Sequence, residues 1–299
     1  MALDAKDTGT LVGVTQLSMN AVALLHPNVS PATVDPFRDT ASTITIRETF
    51  EGIQAPDAAM VFGGDGTVHR HLPDLYKGRV PMLVVPRGSG NDFAKALGIH
   101  NQATALRAWR RFCERGDNVR SIDLGVLTKD QTTIPFCCVA GAGMDSAANA
   151  KANRMPRWLR GSAGYLAAAL QVLPSYQPAD FFLSADEREI RRCGFLVAVA
   201  NAHRYGRGMR IAPRAELDDG LLDVCLVGKM NRLKLLLAVP TVFFGAHLRI
   251  KQVEYLQARA LLLDADRPLE VYADGEFACR TPVDIALIPR ALSVIVPLR

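Results

Sequence analysis

Short apolar runs alternate with helix-period segments through the first half of the chain. Residues 12–25 form an apolar stretch ending at His26-Pro27-Asn28-Val29-Ser30-Pro31, a turn-rich exit that suits a strand. Residues 43–47 alternate β-branched positions and predict a second strand, and the wholly apolar runs 58–62 and 80–85 predict buried strands of a parallel sheet. Helices are expected over 68–76, where Pro73 interrupts, and over 91–97 and 104–115. Alternation of this kind predicts an open α/β sheet that takes its ligands at the carboxyl ends of the strands.

From Ser121 the rhythm changes. Strands are expected at 122–127, 133–140, 181–184, 194–200, 221–227, 259–263, 269–273 and 283–289, interrupted by helices over 161–173 and 232–245. The expected architecture is an α/β N-terminal domain with an open, mostly parallel sheet over residues 1–121. A mostly antiparallel β-sandwich follows over residues 122–299, its last residues free to return to the first domain.

Composition narrows the function class. The 299 residues are 49% hydrophobic and 22% charged, the balance of a packed globular chain and not of a disordered one. The start of the chain lacks the basic and apolar blocks of a secretory signal. The apolar stretch 235–246 is shorter than the roughly 20 residues needed to cross a bilayer and contains Pro240 and Gly245, so any membrane contact is expected to be peripheral. Cys113, Cys137, Cys138, Cys193, Cys225 and Cys279 show no C-x-x-C spacing, which suits a reducing, cytoplasmic compartment.

A net charge of +5 favours anionic partners. Lys151, Arg154, Arg157 and Arg160, with Trp158 and Leu159 between, suit an anionic membrane face, and equally a solvated surface. Nothing resembles a nucleic-acid reader motif. A homodimer is compatible with the chain, whose oligomeric state is not written in its pattern.

Two glycine-rich turns carry the chemistry. Gly63-Gly64-Asp65-Gly66-Thr67 lies between a strand and a helix, where converging backbone amides bind phosphate. Pro86-Arg87-Gly88-Ser89-Gly90-Asn91-Asp92-Phe93 repeats the arrangement after the next strand, with Ser89 or Asn91 available to cap the following helix. Neither a P-loop nor a dinucleotide G-x-G-x-x-G fingerprint is present. His69-Arg70-His71 lacks the third ligand a metal pair needs and opens a helix near the phosphates.

GGDGT, PRGSGNDFA, AELDDGLLDV and ADGE, in that order between residues 58 and 296, resemble the diacylglycerol kinase catalytic fold, whose members include diacylglycerol, sphingosine, ceramide and bacterial lipid kinases. The resemblance implies an ATP-dependent lipid kinase using Mg2+. Gly63, Gly64, Asp65, Gly66, Thr67, Val68, His69 and Ser89 would surround the nucleotide, with Thr49 as a further candidate and Asp65 acting through magnesium. Glu276 would be the general base, and Asp274 would orient metal or substrate. Asp219, with main-chain oxygens of Glu216 and Leu221, would hold a structural magnesium. Arg204, Arg207, Arg210 and Arg214 could clamp phosphate or face lipid, or remain solvated.

The chain departs from the pattern in three places. Val68-His69-Arg70 replaces a hydrophobic residue followed by Asn-Glu, the first αβ unit is trimmed around residues 49–58, and Tyr205-Gly206-Arg207-Gly208-Met209 replaces a run of glycines. The competing readings are NAD kinase, which shares GGDGT, and a catalytically silent nucleotide- or lipid-binding regulator.

Overall fold

The computed structural model describes residues 19–38, 42–50, 55–155, 162–206 and 208–298. The expected strand start before Met19, and Arg157, Trp158, Leu159, Arg160 and Arg207, lie outside the described residues. In the first half, strands β1 (Met19–Leu25), β2 (Ser42–Arg47), β3 (Ala58–Gly63) and β4 (Met82–Pro86) pair in the order β4-β3-β1-β2, all neighbours parallel. β3 is buried at every position because it lies inside the sheet with both faces covered.

Helices α1 (Asp35–Arg38), α2 (Asp65–Gly78), α3 (Asp92–Ala96) and α4 (Gln102–Arg115) complete this half. α2 corrects the expectation that Pro73 interrupts it. The proline removes only the amide that would have reached the His69 carbonyl, while Val68, Leu72 and Leu75 bury the helix on either side of it.

The second half contains β5 (Val119–Lys129), β6 (Thr132–Phe136), β7 (Val139–Gly143), α5 (Met144–Arg154), α6 (Ser162–Val172), β8 (Ala179–Ala185) and β9 (Arg188–Ala200). It continues through β10 (Leu222–Gly228), α7 (Arg232–Val242), β11 (Val253–Ala258), β12 (Ala260–Ala265), β13 (Glu270–Ala273), β14 (Glu276–Arg280) and β15 (Val283–Ile295). Pairings within this half are antiparallel.

Central strands are apolar on both faces. In β10, Leu222, Val224 and Leu226 join one cluster with Phe181, Leu263 and Ile285, while Cys225 and Val227 join the larger cluster with Phe195 and Leu235. The single strand expected over 133–140 is two strands, broken at Cys137-Cys138, and α5, β11 and β14 were not anticipated.

β15 joins the halves. It pairs with β12 and β5, shifts register between Ile288 and Leu292, then meets β4 in parallel with Val294 opposite Met82. Within the shift Arg290 takes φ +50°, a conformation most side chains avoid. The buried Asp123 holds it there: one carboxylate oxygen accepts the Arg290 amide and the other the Gly220 amide, each at 2.7 Å. Hydrogen bonds to a charged group contribute about 1.5–3 kcal/mol each, so Asp123→Ala is expected to lower the unfolding free energy by about 3 kcal/mol or more. Equilibrium urea denaturation measures this, and a loss below about 1 kcal/mol would mean that the bend stands without the carboxylate.

Candidate active site

The two glycine turns end adjacent strands and touch through bare backbone. A Cβ on Gly88 would lie 2.6 Å from the Gly64 Cα, and one on Gly64 2.9 Å from the Gly88 Cα, so no side chain fits at either position. The Arg87 amide donates to the Gly63 carbonyl at 2.8 Å. The Asp65 carboxylate then reaches across and accepts the first amides of α3, from Asp92 at 3.2 Å and Phe93 at 3.1 Å.

Asp65 is therefore the cap of α3, which corrects the assignment of that role to Ser89 or Asn91. The Asn91 side chain instead accepts from the Gly88 amide and donates to the Gly88 carbonyl, at 2.9 and 2.6 Å. Burial raises the Asp65 pKa, and the two amides pull it back.

The second half contributes a hairpin. β13 and β14 are joined by Asp274 and Gly275, both at positive φ as a two-residue turn requires. The turn is not a solvated one: the Asp274 side chain is 5% exposed. It fills the break between β6 and β7, accepting amides from Cys137 and Cys138 at 2.8 Å and from Val139 at 3.2 Å. The same carboxylate lies 3.4 Å from His69 Nδ1 on α2, so one acid ties the hairpin, the strand break and α2 together.

Glu276, two residues on, projects over the first turn of α2, where a Cβ on Gly66 would sit 3.2 Å from its Oε1. Among the described residues no chain group hydrogen-bonds this carboxylate. It alone of the three acids is left open to a ligand.

These elements wall a cleft of about 680 Å³ at the carboxyl ends of β1, β3 and β4. Gly63, Gly64, Asp65, Gly66, Thr67, Ser89, Asp274 and Glu276 line it. Val68 and His69 stand behind the lining, one buried in α2 and one against Asp274. Thr49 is exposed beyond β2 and does not reach the cleft. Arg204, Arg210 and Arg214 also lie off it, Arg214 stacking over Tyr255 at 5.6 Å. Arg70 and Arg87 supply its cations instead. Their signal was present in the sequence, each beside a glycine turn, but spacing does not reveal side-chain direction.

Asp145 and Tyr205 were missed altogether. Asp145 sits in the first turn of α5, just after the glycine-rich end of β7, and accepts a hydrogen bond from the Tyr205 hydroxyl at 3.2 Å. Burial pushes its pKa up to about 6 against that bond. Both residues, with Gly206, also line a second cavity of about 90 Å³ whose other walls are apolar apart from His247, among them Met144, Leu196, Met209, Val239, Val242 and Phe243. The cleft and the largely apolar chamber are thus neighbours that share Asp145, Tyr205 and Gly206 as a common wall.

The acidic loop lies apart from the cleft. Asp218 pairs with Arg120, and Asp219 Oδ1 accepts the Leu221 amide at 3.0 Å. Burial raises the Asp219 pKa, and Glu216 and Asp123 add to it. Crowded hard oxygens of this kind suit a magnesium ion. Among the described residues no group of three or more His, Cys, Asp or Glu side chains forms a metal cluster.

The His69–Asp274 contact is titratable. Burial opposes a charged imidazole, but the hydrogen bond to Asp274 and the fields of Asp274 and Glu276 outweigh it and raise the His69 pKa. A raised folded-state pKa adds stability below the unfolded value of about 6.5, and that stability disappears as pH rises through the folded value. His69→Asn should therefore cost more stability at about pH 5.5 than at about pH 8.5, read from urea midpoints, and an equal cost at both would remove the charged contact.

The comparisons agree with this geometry. The family profile described as diacylglycerol kinase catalytic domain matches residues 15–127, and that described as YegS C-terminal NAD kinase beta sandwich-like domain matches residues 138–296. The diacylglycerol kinase of Mycobacterium tuberculosis (strain ATCC 25618 / H37Rv) is 36% identical over 249 residues, 81% of this chain and 77% of that protein. The diacylglycerol kinase of Bacillus subtilis (strain 168) is 24% identical over 248 residues, 81% and 78% of the two chains.

Among solved structures, a diacylglycerol kinase from Bacillus anthracis str. Sterne superposes with a TM-score of 0.68 at 17% identity, covering 93% of this chain and 97% of that one. An NAD kinase from Archaeoglobus fulgidus in complex with ATP gives 0.54 at 13%, covering 93% and 94%; both share the fold. The ordered domain matches and the identity to the mycobacterial enzyme show that the chain belongs to the diacylglycerol kinase family of lipid kinases, phosphotransferases with an alcohol group as acceptor.

Proposed function

We propose that the protein transfers the γ-phosphate of ATP to the hydroxyl of a lipid alcohol, diacylglycerol or a related glycerolipid or sphingoid lipid. The observation that carries this reading is that Asp145, Tyr205 and Gly206 line both a cleft of acids, glycines and two arginines and a neighbouring, largely apolar chamber. A lipid alcohol has one polar end and one apolar end, and the two spaces match them in kind. The dinucleotide NAD has no apolar tail to occupy the chamber, which disfavours that acceptor.

Residues 63–67 and Ser89 would receive the phosphates, with Arg70 and Arg87 balancing their charge. Val68 and His69 support the loop from behind. The magnesium that accompanies ATP supplies charge neutralisation on the phosphates when bound.

Glu276 takes the proton from the acceptor hydroxyl as its oxygen attacks the γ-phosphorus. A new O–P bond forms, the bond to the β–γ bridging oxygen breaks, and ADP leaves. Asp65 and Asp274, both committed to backbone amides, hold the loops in place and are positioning residues. Residues 1–121 serve as the ATP-binding domain and residues 122–299 as the acceptor domain, with β15 returning to β4. Asp219 and the main-chain oxygens of Glu216 and Leu221 would hold a structural magnesium beside β10.

Two measurements test these assignments. With labelled ATP, magnesium and a panel of lipid alcohols plus NAD, one lipid is expected to be labelled, and Glu276→Gln to reduce kcat by roughly 10²- to 10⁴-fold. Labelling of NAD alone would overturn the acceptor, and nucleotide binding without transfer would leave a regulator. Chelation should lower the melting temperature of the wild type more than that of Asp219→Asn. The lost stability would be about 2.7 kcal/mol where free magnesium stood at about a hundred times its Kd. Equal shifts in the two proteins would empty the acidic loop of that role.

A further inference from the structure

Residues 228–253 contain Lys229, Arg232, Lys234, Arg249 and Lys251 and no aspartate or glutamate. Within this stretch α7 is started by Asn231, whose side chain accepts the Leu233 amide at 2.8 Å. Its inner side is committed: Leu235 and Ala238 are buried, and Val239 and Val242 form part of the chamber wall. Its outer side is also apolar. Leu233 is 64% exposed and Leu237 68%, Leu236 lies beside them, and Phe244, immediately beyond the helix, is 82% exposed.

Positions 233, 236 and 237 fall on one helical stripe, and Phe244 follows in the turn just beyond it. A helix that is apolar all round belongs in an apolar medium on every side. The protein supplies that medium on one side only.

We propose that this outer face of α7 docks the protein on an anionic phospholipid bilayer, with the helix lying in the plane of the interface. Eleven residues are too few to cross a bilayer, which takes about 20, but they suit a helix seated at the headgroup boundary. Charge identifies the partner. Lys229, Lys234, Arg249 and Lys251 are exposed around the apolar stripe with no acid among them in that stretch. Arg232 is already used, its guanidinium held by the carbonyls of Leu173, Pro174 and Tyr176, which fastens the helix to the end of α6.

A second copy of the chain fits this face poorly, because a two-fold contact would set the same cations against each other. The location suits a bilayer also. The helix whose outer side meets the leaflet forms with its inner side part of the wall of the chamber that Asp145 and Tyr205 also line, which sets the docked face beside the proposed acceptor site. The choice of a bilayer rests on the lipid-kinase reading; binding to it does not require catalysis.

The test uses the full chain and sedimentation with phosphatidylcholine vesicles, with and without phosphatidylglycerol, in the absence of ATP. The wild type is expected to bind the anionic vesicles, more weakly as salt rises, and Leu237→Glu/Phe244→Glu to bind them at least about 10-fold more weakly. Both positions are exposed, so an unchanged melting temperature checks the fold of the variant. Phosphorylation of a short-chain, water-soluble lipid alcohol should be equal in the two proteins, which separates loss of docking from failure of the kinase reading. Equal vesicle binding by variant and wild type would overturn the proposal. So would a wild-type dimer in sedimentation velocity that the variant converts to monomer, because α7 would then be an interface between copies.

Discussion

The structure of the site depends on one buried carboxylate. Asp274 stands at the tip of the β13–β14 turn, yet its oxygens are taken by three consecutive amides at the β6–β7 break and approached by an imidazole from α2. A buried acid left without such partners would cost several kcal/mol, so the hairpin, the strand break and the first half of the chain are bound to one arrangement. Glu276 follows Asp274 by two residues in a paired strand, and its direction is fixed by that register. The position of the open acid over the first turn of α2 is thus a consequence of how the closed acid is satisfied.

Asp65 plays the corresponding part in the first half. Its carboxylate caps α3, and the Gly64–Gly88 contact brings the two phosphate-type turns as close as main chains can come. Each half uses an acid from one glycine-containing turn to fix the geometry of a neighbouring element. The division follows from solvation: the two acids that are buried are satisfied by backbone amides, and Glu276, which remains exposed, has no hydrogen-bond partner among the described residues. The same economy appears at Asp123, where a buried carboxylate holds the bend that lets β15 serve both halves.

Much of this was legible beforehand. Apolar runs bounded by glycine and proline located β3 and β4 to within two residues, because a strand covered on both faces has to be apolar throughout, and alternating β-branched residues located β2. The glycine turns and the Asp-Gly hairpin were visible as motifs because their backbones require residues of those types. α5 was not visible, since its alanine-rich, weakly patterned sequence contains no strong apolar period. The break at Cys137-Cys138 was hidden as well. An uninterrupted apolar run conceals a break whose cause is a carboxylate 136 residues away.

The sequence by itself determined which segments could be strands or helices and which turns could accept phosphate. Those properties depend on local backbone freedom and on periodic burial, whereas Glu276, Asp274 and Asp65 were marked as the acids of interest by the resemblance of GGDGT and ADGE to the diacylglycerol kinase family. Only the tertiary structure decided which of the three acids is open, that Arg70 and Arg87 face the cleft while Arg214 stacks on Tyr255, and that Asp145 lines both the cleft and a neighbouring, largely apolar chamber. Those outcomes depend on which buried polar group meets which distant amide or hydroxyl. Such pairings are settled by the cost of leaving any of them unsatisfied, a cost that exists only once the chain has closed around them.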